Sequence, residues 1–354
     1  MKHYDYEEEF HARDRKQFRK ERKLSQKLDR SKFKKTDLAV EEKTFNPEWK
    51  RGRVVSISGE GALVDLGEER VLCSLLGLIK KETVQARNLI AVGDWVRVNE
   101  GAIAFIEERT SFLSRKDLSG RKEQLIAVNI DQVIIVASVV APPLKPALID
   151  RYLIAAEKGS MHPIIVIAKI DLLEVAAEEE KNRYRQFLSA YEPLGIPILS
   201  ISSHNQTGLE SLRALLQNKT SVFSGQSGVG KSSLLNVCYG WNLKIGDLTT
   251  KTEKGSHTTT SATLLSLPDG GYCVDTPGIR SFALWDLTKE DVIHHFSDFK
   301  TFSKKCKYED CEHRKEPECA VLKALEKGKI SALRYDSYLT LLNEIEEKVQ
   351  RISR

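Results

Sequence analysis

Residues 225–232 read Gly-Gln-Ser-Gly-Val-Gly-Lys-Ser. This G-x-x-x-x-G-K-S string restricts the fold more than any other part of the chain. Its glycines let successive backbone N–H groups curl around a phosphate without a side chain in the way. That works only where a strand delivers the loop and a helix leaves it. Both flanks are present: SVFS (221–224) is apolar, and SSLLNVCYG (232–240) is helical in pattern. The start of that helix adds its N-terminal dipole. The spacing brings Lys231 to the β/γ-phosphate oxygens and the Ser232 hydroxyl to Mg²⁺. Gly225, Gln226, Ser227, Gly228, Val229, Gly230 and Ser233 complete the nucleotide-binding set.

A phosphate loop of this kind belongs to an α/β sheet, and the surrounding sequence supplies the strands. QVIIVASVV (132–140), PIIVIA (163–168), IPILSI (196–201), ATLLSLP (262–268) and GYCVD (271–275) are short apolar runs. Between the first two, ALIDRYLIAAEKG (147–159) has helical spacing at Leu148, Tyr152 and Ala155. Buried strands alternating with helices predict a mostly parallel, doubly covered sheet.

The order of the motifs is unusual. Ala168-Lys169-Ile170-Asp171 ends a strand upstream of the phosphate loop. In the N-K-x-D pattern it follows, the Asp carboxylate accepts two hydrogen bonds from guanine N1 and N2, a pair adenine does not offer. Lys169 covers the base. Ala168 stands in place of Asn, removing a polar side chain that ties this turn to the phosphate loop and base, at a cost of about 1 kcal/mol or somewhat more. Ser202 and Ser203, before His204, fit the segment whose backbone N–H meets guanine O6. Downstream, Asp275-Thr276-Pro277-Gly278 ends the strand GYCVD, with Asp275 for the Mg²⁺ water shell and the Gly278 N–H for the γ-phosphate. Gly255-Ser256-His257-Thr258-Thr259-Thr260 lies in a polar loop between these motifs. Thr259 is the first choice for a switch hydroxyl on Mg²⁺ and Thr258 the second. Ile279 follows Gly278 where many GTPases carry a water-orienting glutamine, so His257 becomes the candidate for that role. Base-reading turn, phosphate loop, then switches is the order of a nucleotide domain cut and rejoined.

The rest of the chain attaches modules to this centre. RGRVVSIS, GALVDL, ERVLCSL, DWVRVN and AIAFIEE between Arg51 and Glu108 are five strand candidates. They predict a small barrel, an OB-fold first and an SH3-like barrel as the alternative. Cys306-x₄-Cys311-x-His313-x₅-Cys319 offers three thiolates and an imidazole, a closed tetrahedral Zn²⁺ site with no position left for water. Its flanking lysines and arginine offset the negative charge. Tyr338, Leu341, Leu342, Ile345, Val349 and Ile352 share one helical face. Residues 11–35 hold twelve Lys or Arg against three acidic residues, although the net charge is only +5. Such a block suits nucleic-acid contact. Six cysteines, three isolated and three clustered, make no disulfide framework and fit a reducing compartment. An apolar run near eighteen residues and a secretory h-region are both absent from the sequence.

With these residues assembled, the chain resembles the circularly permuted small ribosomal subunit biogenesis GTPases, the RsgA or YjeQ family. The likeness covers about residues 48–340 and rests on the permuted order, FSGQSGVGKSSLLN, the HTTT loop, DTPGIRSF and CKYEDCEH…C. It implies a multidomain protein: a basic tail (1–48), an N-terminal all-β OB-fold barrel (49–114), a central permuted α/β P-loop GTPase domain (115–284), and a C-terminal, mostly helical zinc-binding domain (285–354). It implies a Mg²⁺-dependent GTP hydrolase that binds GTP and GDP. Its partners would be the 30S subunit and 16S rRNA, with hydrolysis stimulated by the particle. His257 falls on the family's catalytic histidine and Thr259 on its switch threonine. The expected setting is cytoplasmic, away from membranes, and the expected state a monomer. The rival expectation is an RNA-binding scaffold with vestigial hydrolysis, prompted by Ala168 and Ile279.

Overall fold

The computed structural model describes residues 46–75, 89–116, 123–241, 262–275 and 287–352. The basic segment 11–35 and the site residues His257, Thr258, Thr259, Gly278 and Ile279 lie outside them.

The barrel forms where the alternation predicts it. Its strands are β1 (Lys50–Ile57), β2 (Ala62–Asp65), β3 (Arg70–Cys73), β4 (Trp95–Asn99) and β5 (Ala102–Ile106), in the sheet order β3-β2-β1-β4-β5. The two ends meet through a parallel bridge between Ser74 and Ala102, with the Ser74 N–H donating to the Gly101 carbonyl at 2.9 Å. Closure through a parallel β3–β5 contact, with every other neighbour antiparallel, is the OB arrangement. Alternate residues Val54, Ala62, Val64, Val96, Val98 and Ile103 fill its interior.

A hairpin that the sequence pattern did not single out follows, β6 (Phe112–Lys116) with β7 (Glu123–Val128). A buried, bidentate Arg109–Asp94 ion pair at 2.7 and 2.8 Å joins it to the barrel. Asn129 adds a second join: its carboxamide accepts from the Thr110 N–H at 2.9 Å and donates to the Gly93 carbonyl at 3.0 Å.

The central sheet contains β8 (Gln132–Ser138), β9 (His162–Ala168), β10 (Ile198–Ile201), β11 (Lys219–Ser224), β12 (Thr263–Ser266) and β13 (Gly271–Asp275), ordered β10-β9-β8-β11-β13-β12. All neighbours are parallel except β12–β13. The phosphate-loop strand β11 therefore sits inside the sheet, beside the chain's earlier strand β8, so the cut in the motif order leaves the layout closed up. One face is covered by α1 (Pro146–Lys158) and α2 (Glu178–Tyr191), through Ile149, Tyr152, Ala155, Phe187 and Tyr191. The other is covered by α3 (Leu209–Leu216) and α4 (Lys231–Tyr239), through Leu212, Leu216, Leu234 and Leu235. Each such fully buried leucine contributes about 1.5–3 kcal/mol of transfer free energy.

The C-terminal part comprises α5 (Lys289–His295), α6 (Ser297–Ser303), α7 (Ala320–Glu326) and α8 (Ala332–Ile352). The helical stripe read from the sequence divides along α8. Tyr338, Leu341 and Leu342 are buried in the core, whereas Val349 is 59% exposed. Helix α8 packs on α1. There Arg334 pairs with Asp150 and, at 2.9 Å, with Asp298. Tyr191 donates its hydroxyl to Asp150 at 2.7 Å, and the Arg334 guanidinium lies 4.4 Å from the centre of the Phe296 ring. Among the described residues no helix is long and apolar enough to cross a membrane.

Candidate nucleotide and metal sites

Strands β9, β10, β11 and β13 run parallel, so their carboxyl ends open at one edge of the sheet. That edge is where open α/β sheets bind ligands. Lys169 and Asp171 follow β9, Ser202 and Ser203 follow β10, Gly225 follows β11, and Asp275 ends β13. Segments far apart in the sequence thus meet at one edge of the sheet.

The loop is shaped by its glycines. Gly225 has φ +144°, and an added Cβ would lie 2.1 Å from the Val136 carbonyl oxygen on β8, so any side chain would push the loop off the sheet. Gly230 adopts φ +102° as the N-cap of α4, turning the chain into the helix whose first residues are Lys231, Ser232 and Ser233. Lys231 Nζ donates to the Gly225 and Gln226 carbonyls at 2.7 and 3.0 Å. Tyr152, buried on α1, hydrogen-bonds the Gly225 backbone, and burial pushes its phenol up to about 12. The sequence marked Tyr152 only as a helical-face residue.

Lys169 takes a left-handed backbone, φ +60°. Its Nζ donates to the carbonyls of Ala141 and, at 2.7 Å, Gly228. The lysine therefore spans from the base-reading turn to the phosphate loop. Ala168, 2% exposed, packs in the apolar cluster with Val166, Phe223 and Val229. Ser202 is fully buried. Its hydroxyl donates to the Asp171 carboxylate and accepts from the N–H groups of His204 and Asn205 at 3.2 and 3.3 Å. Ser202 thus aims the carboxylate as well as standing near it, a role its position in the sequence did not reveal.

Asp275 is 4% exposed, and one of its carboxylate oxygens is buried without a hydrogen-bond partner. Burial pushes its pKa up to about 7. A buried carboxylate oxygen without a partner, at the end of the strand beside the phosphate-loop strand, is the kind of donor that suits a hydrated divalent cation.

The second site lies in the C-terminal part. The ligand atoms of Cys306, Cys311, His313 and Cys319 all fall within 4.8 Å of one another. Zn–S bonds of about 2.3 Å and Zn–N of about 2.0–2.1 Å on a tetrahedron give S···S edges near about 3.8 Å and S···N edges near about 3.5 Å. The observed edges are 3.8 Å for Cys306–Cys319, 3.6 Å for Cys306–His313 Nδ1 and 3.4 Å for Cys319–His313 Nδ1. Burial raises the Cys311 and Cys319 thiols and lowers the His313 imidazole, so thiolate formation here needs a dication to balance it. The loop is fastened to α8 by the Tyr335 hydroxyl on the His313 carbonyl (2.8 Å) and the Tyr338 hydroxyl on the Glu312 carbonyl (2.7 Å). Glu316 gathers the N–H groups of Glu312, Arg314 and Lys315. Of the flanking cations, Lys307 pairs with Glu318 and Arg314 with Glu312 and Glu346.

A family model described as RsgA GTPase matches residues 106–285. The chain is 40% identical over 312 residues to the small ribosomal subunit biogenesis GTPase RsgA of Chlorobaculum parvum, covering 84% of this chain and 98% of the relative. It is 38% identical over 328 residues to the protein of that name from Shewanella oneidensis, covering 91% of each. Among solved structures, YjeQ from Thermotoga maritima superposes with a TM-score of 0.66 at 33% identity, over 84% of this chain and 98% of that one. YloQ, described as a circularly permuted GTPase, gives 0.65 at 30%, over 86% and 98%.

Proposed function

Because the chain belongs to the RsgA GTPase family, we propose that it hydrolyses GTP as a late maturation factor of the small ribosomal subunit, binding 16S rRNA and turning over faster on the particle. The observation that carries the nucleotide half is the meeting of Lys169, Asp171, Gly225–Ser232 and Asp275 at one sheet edge. Asp171, held by Ser202, selects guanine. The phosphate-loop N–H groups and Lys231 grip the phosphates. Ser232 and Asp275 are the described residues that would hold Mg²⁺, Thr259 is the switch hydroxyl that would join them, and the cation would supply neutralisation of the phosphate charge. His257 orients the attacking water, and Gly278 meets the γ-phosphate.

The ribosomal half rests on the relatives' names and on chemistry available for RNA. Lys300, Lys304, Lys305 and Lys307 are exposed beside the metal loop, and the basic segment 11–35 adds further cations. Cys306, Cys311, His313 and Cys319 would hold one zinc ion, which supplies a structural cross-link between α6 and α7. Such a factor works in the cytoplasm, as a monomer. The test is GTP turnover with and without purified 30S subunits, alongside competition by ATP. Turnover that the subunit leaves unchanged refutes the assembly reading and favours an RNA-binding scaffold. Equal competition by ATP refutes guanine selection.

A further inference from the structure

Residues 138 and 168 are register partners on the parallel strands β8 and β9. Partners in a parallel ladder project to the same side of the sheet, here the side of Val136, Val166, Phe223 and Val229 beneath α4. Ser138 is 1% exposed, and its hydroxyl has no hydrogen-bond partner. It borders a small hollow lined also by Gln226 and Val229 of the phosphate loop and by Leu148, Ile149 and Tyr152 of α1. Beside it, Ala168 offers no polar atom at the place where the N-K-x-D pattern puts a carboxamide. Ile170 is apolar and Asp171 is engaged by Ser202. Lys169 therefore carries the motif's side-chain tie to the loop, through an ammonium that water reaches.

We propose that Ser138 and Ala168 together set the residence time of the guanine nucleotide. A buried hydroxyl without its carboxamide partner leaves the base-reading turn and the phosphate loop coupled through one hydrated lysine. Water competes for that tie, so GDP leaves within seconds and the site reloads without an exchange factor. The inference rests on the guanine-nucleotide reading above and deepens it.

The experiment is release of a fluorescent methylanthraniloyl-GDP into excess unlabelled GDP, followed by stopped flow. Ala168→Asn is expected to slow release about fivefold, the size of one net hydrogen bond. Ala168→Ser, which places a hydroxyl beside Ser138 with little added volume, is expected to slow it less. In a Ser138→Ala background both gains should shrink below about twofold, because the partner has gone. Release from Ala168→Asn and Ala168→Ser at the parent's rate overturns the proposal, as does slowing of equal size without the Ser138 hydroxyl. Parent release over hours overturns it too. If Ala168→Asn overpacks the site and does not fold, Ala168→Ser in the two backgrounds decides. A parent chain that takes up no labelled GDP refutes the functional reading itself, so the two failures are distinguishable.

Discussion

Replacing Arg334 by methionine tests what holds the C-terminal helices to the nucleotide domain. Arg334 and Asp150 are 4% and 1% exposed at their side chains, so the pair is almost wholly removed from water. With Arg334 gone, Asp150 keeps the Tyr191 hydroxyl but no countercharge, whereas Asp298, at 20% exposure, rehydrates. Breaking one side of such a pair costs about 3–5 kcal/mol. At roughly 2–4 °C per kcal/mol for a unit of this size, the melting temperature should fall by roughly 6–20 °C at pH 7.5. Burial already pushes Asp150 up to about 6, against about 3.9 in an unfolded chain. The folded state therefore binds this proton more tightly than the unfolded state, and the charged carboxylate weighs against folding as pH rises from about 4 through 6. Loss of Arg334 raises the carboxyl further. The deficit should be large at pH 7.5 and shrink toward pH 5. Adding Asp150→Asn should recover more than half of it. Scanning calorimetry at the two pH values checks this. A pH-independent deficit, or a double variant as unstable as R334M, refutes the reasoning.

Other outcomes follow from the sites. Gly225→Ala places a methyl 2.1 Å from the Val136 oxygen at a positive φ, so GTP affinity measured by fluorescent-nucleotide titration should drop at least about tenfold. Ser202→Ala removes the donor that aims Asp171, and the preference for GTP over ATP should fall by about tenfold while ATP binding is unchanged. Stripping metal with a strong chelator, or Cys311→Ser, should abolish zinc in elemental analysis and raise hydrogen exchange across residues 306–319, leaving β8–β11 protected.

Much of this was legible because local chemistry dictated it. The phosphate loop needs glycines and a strand–helix context that neighbouring residues supply, and the four candidate metal ligands fall within a short stretch whose spacing restricts their geometry. The barrel's strands β2 and β4 showed through because buried and less buried residues alternate along them. The β6–β7 hairpin did not, since the register shift between Leu113 and Ser114 breaks the alternation that reveals a strand. Contacts between distant residues were also hidden. Arg334 meets Asp150, and the Ser202 hydroxyl meets Asp171, only because the sheet and α8 bring them together. Nor does sequence spacing show that Lys169 reaches the Gly228 carbonyl, which softens the consequence of Ala168.

The edge of the central sheet carries a further consequence. Among the described residues strand β12 is terminal in the sheet, with a row of backbone groups on its outer side that no described strand pairs. Strand β1 of the barrel packs against it, Arg70 donates to Ser266 at 2.6 Å, and Tyr272 hydrogen-bonds Asp65. Arg53 is wedged between the rings of Trp95 and Tyr272. The barrel is therefore a lid on a sticky seam as well as a module in its own right. Cutting the chain between them would expose that seam, and the liberated nucleotide domain would tend to pair edge to edge with its own copies.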